Sequence, residues 1–225
     1  MNINIYSWVV IHMNFENVFS SANEAINEFK EQSFVIKHGV GGIMFSAPHS
    51  VEQTRDGKIK YSEPQTGVLV EMLHKTFGCP IIRKTSNCND DANFDPISDY
   101  KEALVKYVNE NHIEFLIDLH QLAPSRNVMI DFGTGNFKNI NDKYLLNIFL
   151  STFSENKVGN IQLDEPFDAS YDYTVSSTIH RECEIPCLQI EINTKLVCDE
   201  YNEFSLDLIY KSLCECYLKL KEIYK

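Results

Sequence analysis

Short apolar runs alternate along the chain with stretches of helical period. Residues 34–37 and 42–45 are apolar runs joined by HGVGG, which predicts a β-hairpin. Residues 66–77 put Val68, Leu69, Met72, Leu73 and Phe77 on one helical stripe, and Gly78 supplies the stop. A strand over 79–83 follows, then a helix over 99–111 with Leu104, Val105 and Val108 inward. The apolar strand 113–118 runs into Leu119-His120. Further on come a strand over 127–132, a turn at 133–136, a helix over 141–154 and a short strand at 160–163. Residues 164–182 are polar and rich in tyrosine. They precede a strand over 187–192 and a closing helix over about 204–224. Residues 1–20 are ambiguous between strand and helix start, and Ser20 or Ser21 is a cap for a short helix to about Lys30. The segments 53–64, containing Asp56-Gly57, and 85–96, dense in Asn and Asp, read as loops. Strands alternating with helices predict an α/β sheet covered on both faces. A length of 225 residues fits one domain, with its core over about 34–195.

Charge narrows the function. A net charge of −12 opposes sequence-independent binding of DNA or RNA and of anionic membrane surfaces, both of which require surplus Lys and Arg. No run approaches the roughly 18 apolar residues of a membrane span. The N-terminus lacks a basic region and a small-residue cleavage site, so no signal peptide is expected. The seven cysteines include no CxxC pair, so they are expected to be free thiols in a reducing cytoplasm.

Three predicted strands end in residues with chemistry. The run Ile43–Ser46 leads to His49, the run Phe115–Asp118 to His120, and Leu188-Gln189-Ile190 to Glu191. Ligands of open α/β sheets bind outside the carboxyl ends of strands, so the fold would gather these positions. His49 and Glu52, three apart in a turn, together with His120 offer two imidazoles and a carboxylate. That donor set suits catalytic Zn²⁺, which keeps three protein ligands and an open position for water. Asp118 or Gln121, beside His120, is expected to hold a ligand imidazole. Glu191 is the candidate general base. Among arginines that could meet a substrate carboxylate, Arg55 ranks first, then Arg126 and Arg83, with Arg181 also near a loop. Asp91, Asn93 and Asp95 have part of a calcium-loop spacing but lack its glycine and closing glutamate, so they read as an Asx turn bordering the pocket. His180, in a polar segment, reads as structural or exposed.

At SAPHSVEQTRDGKIKYSEPQTG, NDDANFD, LIDLHQ and LQIEIN the chain resembles the N-formylglutamate amidohydrolase family, itself similar to zinc carboxypeptidases and aspartoacylase. The resemblance spans roughly residues 40–195. It implies a mixed α/β fold of the zinc-exopeptidase type, zinc held by His49, Glu52 and His120, and Glu191 as acid/base. Glu63, in the same block, is an alternative to Glu52. The chain departs from zinc carboxypeptidases in lacking their Asn-x-Arg pair, since Phe94 and Asp95 follow Asn93. It departs from the better-known formylglutamate hydrolases in having Ser50-Val51 where they have a glycine-rich turn. The expected activity is zinc-dependent cleavage of an amide in a small N-acyl amino acid or peptide-like substrate, a small molecule bound through its carboxylate. A peptidase acting on γ-glutamyl chains and a catalytically degenerate metal-binding relative are the alternatives.

Overall fold

The computed structural model describes residues 33–201 and 205–224. The readings at residues 1–20 and 20–30 lie outside them. The described residues form nine strands: β1 (Phe34–Lys37), β2 (Ile43–Ala47), β3 (Gln53–Arg55), β4 (Lys58–Lys60), β5 (Ile81–Lys84), β6 (Phe115–Leu122), β7 (Ile130–Gly133), β8 (Ile161–Leu163) and β9 (Cys187–Asn193). Among the described residues five α-helices accompany them: α1 (Pro64–Phe77), α2 (Asp99–Glu110), α3 (Lys143–Glu155), α4 (Val175–Cys183) and α5 (Ser205–Lys221). Seven strands form one mixed sheet in the order β1-β5-β2-β6-β9-β7-β8, and β3 and β4 pair separately. The centre of the sheet, β5-β2-β6-β9, is parallel, whereas β1 and β7 run antiparallel to their neighbours β5 and β9.

Strand alternation divides the core in two. Ile43, Phe45, Phe115, Ile117, Leu188 and Ile190 face α1, α3 and α5. Met44, Leu116 and Cys187 face the other way, onto α2 and α4, where Tyr100, Leu104, Val175 and Ile179 cover them. Helices therefore flank both faces. On the second face the apolar side chains stop partway along the strands. Asp118 and His120 on β6, and Gln189 and Glu191 on β9, continue the same rows at the carboxyl ends. The strands also run further than their apolar runs, so His120 and Glu191 lie within paired strand, directly opposite one another.

The expected hairpin between the first two runs does not form. β5 inserts between β1 and β2, pairing antiparallel with one and parallel with the other. The HGVGG linker instead packs on the turn after α1, where Val40 N donates to Gly78 O at 2.8 Å. A Cβ at Gly39 would collide with the backbone of Gly78, Cys79 and Pro80. Gly39→Ala is accordingly expected to cost about 1–3 kcal/mol, read as a lower urea midpoint, because backbone cannot retreat as a flexible side chain does.

Two further elements differ from expectation. The polar segment after Gln53 is a hairpin, β3–β4, turned at Asp56-Gly57, both with positive φ (50° and 72°). Part of the tyrosine-rich segment is the helix α4. Thr174 caps it by accepting from Ser177 N at 3.1 Å, and Val175 and Ile179 bury its inner face. Its Ser-Ser-Thr run has weak helix propensity, so packing rather than local preference forms it. No helix among the described residues is long and apolar enough to cross a membrane.

Candidate metal centre

His49 follows β2, carried past its end by Ala47-Pro48, and His120 projects from β6 beside it. Their Nδ1 atoms lie 3.2 Å apart. Glu63, at the start of α1, completes the group: its Oε1 is 3.1 Å from His49 Nδ1 and its Oε2 is 3.5 Å from His120 Nδ1. All three residues are buried, and their donor atoms fall within 4.8 Å of one another. Two backbone contacts fix Glu63. Its N–H donates to His49 O at 2.7 Å, and Gln121 N–H donates to its Oε2 at 3.0 Å.

The far nitrogens of both rings are committed. His49 Nε2 lies 2.7 Å from Asp91 Oδ1, and His120 Nε2 lies 3.0 Å from Asp118 Oδ2. A carboxylate only accepts, so each Nε2 carries a proton and donates it. Both Nδ1 atoms are thereby directed at Glu63. This is the arrangement in which imidazoles bind a metal, with a carboxylate holding the opposite nitrogen. Two imidazole nitrogens and one carboxylate oxygen form a donor set that suits zinc. The residues present therefore fit the metal.

Electrostatics point the same way. Glu63, Asp91, Asp118 and Glu191 are all buried around two imidazoles, an environment that favours a cation. Burial disfavours the charged form of His120, but Asp118, with Glu63 and Glu191 adding, outweighs it and raises its pKa to about 10. Burial would raise the carboxyl of Glu63, yet the two histidines hold it well below the ordinary carboxylate range. The same opposition, with His49, Lys60 and Arg55 on the lowering side, depresses Asp91.

Glu191 faces the centre from β9, opposite His120. Its Oε1 accepts from Gln189 Nε2 at 3.1 Å, so its hydrogen-bond partner is an amide and not a lysine or arginine. Burial raises its pKa to about 7, His120 working against the shift and Glu63 with it. The side chain lines a cavity of about 430 Å³ that also reaches His49, Glu63 and His120.

The cavity wall comes from two loops. The loop after β5 brings Asn93 and Phe94. Asn93 Oδ1 accepts from Val175 N at 2.7 Å, which ties this loop to the start of α4. The second loop brings Phe167, Asp168 and Tyr171. Asp131, opposite Glu191 on β7, anchors it by accepting from Glu165 N at 3.0 Å and Phe167 N at 2.7 Å. Gly133 lets it cross the sheet closely, since a Cβ there would meet Phe167 O at 2.8 Å. Phe94 stacks on Tyr171 across the gap, with ring centroids 5.7 Å apart.

The arginines separate. Arg55 lines the cavity but is engaged with Asp91, at 2.9 Å through Nε and 2.8 Å through a terminal nitrogen, and lies over the Phe94 ring. Arg126 lines the cavity on the opposite side, stacked 4.9 Å over Phe167. Arg83 is buried against Glu71, at 2.6 Å, away from the pocket. Arg181 bonds Glu182 and Asp172 O on the surface. His180 is structural, its Nδ1 2.9 Å from Ile185 O.

One expected position is corrected. Glu52 is exposed and lies outside the cluster, and Glu63 stands in the place expected for it. The chain turns outward after His49 into the β3–β4 hairpin, and only its return brings a carboxylate back. Asp91 was readable only as part of an Asx turn. That turn exists, with Asn93 N donating to Asp91 Oδ1 at 3.0 Å, but the same oxygen also holds His49.

An α/β sheet with a buried His-Glu-His cluster at its carboxyl edge is the architecture that the motif resemblance implies. Solved structures share the α/β fold. N-formylglutamate amidohydrolase from Ralstonia eutropha JMP134 superposes with a TM-score of 0.57 at 14% identity, over 85% of this chain and 97% of that one. A gene product from Agrobacterium tumefaciens gives 0.58 at 14% identity, over 85% and 96%. A bacteriophage poly-gamma-glutamate hydrolase gives 0.50 at 12% identity, over 83% and 91%. At these identities the likeness is one of fold. No protein-family model matches the sequence, and no curated protein matches it.

Proposed function

We propose that this chain is a zinc-dependent hydrolase that cleaves an amide bond in a small N-acyl amino acid or peptide-like substrate. The observation that carries this reading is the convergence of His49 Nδ1, His120 Nδ1 and Glu63, with both Nε2 atoms held by buried aspartates. The hydrolases that share the fold support it.

His49, Glu63 and His120 would hold zinc, which when bound would supply Lewis acidity and acidify water toward a pKa of about 7. Glu191 accepts the proton of the attacking water and returns it to the leaving amine. Its burial and its place opposite His120 keep the carboxylate beside the reacting atoms. Arg126, on the rim and stacked on Phe167, receives the substrate carboxylate as a bidentate partner. Arg55 reaches the same cavity while bracing Asp91, and so also positions His49.

A second cavity of about 430 Å³ adjoins the first. The two share Arg126 and Pro166, and the second is lined by polar groups including Asn127, Gln162 and Glu165. That adjacency favours γ-glutamyl or other chain-like substrates as a second reading.

The test is a metal analysis of the purified protein, followed by hydrolysis assays before and after chelation. The panel holds N-formyl, N-acetyl and N-succinyl derivatives of glutamate and aspartate, with γ-glutamyl oligomers. Chelation is expected to abolish hydrolysis and zinc to restore it. Preference for oligomers would select the second reading. Zinc-loaded protein inert across the panel would identify a binding protein on the same fold.

A further inference from the structure

Lys60 is the feature of the centre that the hydrolytic reading does not use. Its ammonium lies 3.0 Å from His49 Nδ1 and 3.6 Å from Glu63 Oε1, on two of the three groups assigned to the metal. His49 Nε2 holds the ring proton against Asp91, so Nδ1 has a single lone pair. That lone pair accepts from the ammonium or coordinates a metal, and it cannot do both. Two positive charges sharing one carboxylate oxygen at such distances also repel strongly in a buried site.

We propose that Lys60 is a tethered cation that competes with the metal for His49 and Glu63, and so sets the metal affinity of the centre. The inference rests on the metal reading above. Without metal, the ammonium sets a positive charge against His49 Nδ1 and the Glu63 carboxylate, both buried. With metal, Lys60 withdraws.

The surroundings permit that movement. The side chain is about one-third exposed, at 34%, whereas the groups it contacts are buried. Its strand, β4, pairs with β3 in a two-stranded ribbon separate from the main sheet, and its neighbours Ile59 and Tyr61 are exposed. β3 holds the ribbon through Thr54 N, which donates to Asp90 O at 3.2 Å, and through Asn87 Nδ2, which donates to Thr54 Oγ1 at 2.9 Å. Lys60 is thus free to change rotamer on its flexible four-carbon stem without disturbing the anchoring strand. The cavity that it lines offers the space.

Zinc titration against a chromophoric chelator tests this on the metal-stripped full chain, with thermal unfolding recorded with and without zinc. Lys60→Met is expected to bind zinc at least about tenfold more tightly than the wild type, the scale of a charge-assisted hydrogen bond to a buried group. Its zinc-induced rise in Tm should be larger. Lys60→Gln, which keeps a neutral donor, should fall between the two and serves if the methionine variant does not fold. Lys58→Met, on the same strand but exposed, should match the wild type. Equal or weaker zinc binding in both Lys60 variants would overturn the role of Lys60 alone. Failure of every protein to bind zinc would overturn the metal reading together with it.

Discussion

Glu191→Gln is expected to lower kcat by about 10²–10⁴-fold while leaving zinc content unchanged, which is the range over which a positioned general base contributes. The substitution keeps volume and shape. Its amide oxygen can still accept from Gln189 Nε2, so the local packing survives. Only the capacity to take a proton is lost. The carboxylate is suited to that task because its hydrogen-bond partner among the described residues is the Gln189 amide, and burial brings its pKa to about 7. A structural glutamate in the same strand would give a different result, with a stability loss and activity preserved per folded molecule. Steady-state kinetics, zinc analysis and a urea melt on one preparation separate the two outcomes, and full activity would sink the assignment.

The choice between two glutamates yields the second large effect. Glu63→Gln is expected to weaken zinc binding by about 10²–10³-fold, one ligand's share of the binding free energies typical of protein-bound zinc. Glu52→Gln should leave it unchanged. Glu63 is buried, touches both imidazoles and is clamped by the backbone of His49 and Gln121, whereas Glu52 is exposed. His49→Ala and His120→Ala should each lose zinc to at least the same degree. Competitive chelator titration measures all four. A loss in Glu52→Gln with Glu63→Gln unaffected would reverse the ligand assignment.

The cluster's carboxylate is Glu63 rather than the Glu52 expected from the sequence, and the difference has a physical origin. His49 and Glu52 are close in sequence, and a turn can bring residues three apart to one point. The Asp56-Gly57 turn tells that the following residues double back, but not onto what. Glu63 returns to His49 only because the ribbon β3–β4 closes and α1 begins beside β6. The hairpin expected from 34–37 and 42–45 failed for a related reason. Two apolar runs joined by a glycine-rich linker suit hairpin pairing, and nothing local reveals that β5 takes the place between them. In α4 the helical stripe is Val175, Ile179 and the half-buried Cys183, too short to stand out in a polar segment until α2 packs against it.

What the sequence determined by itself was whatever depends on period and on strand ends. Apolar runs located the central strands, helical stripes located α1, α2, α3 and α5, and polar residues closing the LIDLH and LQIEIN runs marked His120 and Glu191. Alternation alone places Asp118, His120, Gln189 and Glu191 on one face once the two strands are paired in parallel. Tertiary structure decided everything that required two distant segments to meet. It supplied Glu63 as the third member of the cluster, Asp91 behind His49, Lys60 over the donor atoms, and the separation of Arg126 from the ion-paired Arg55 and Arg83. Side-chain period is local and survives in a string of letters. Loop closure and the direction of a returning chain depend on packing against residues dozens of positions away, and only the folded molecule specifies them.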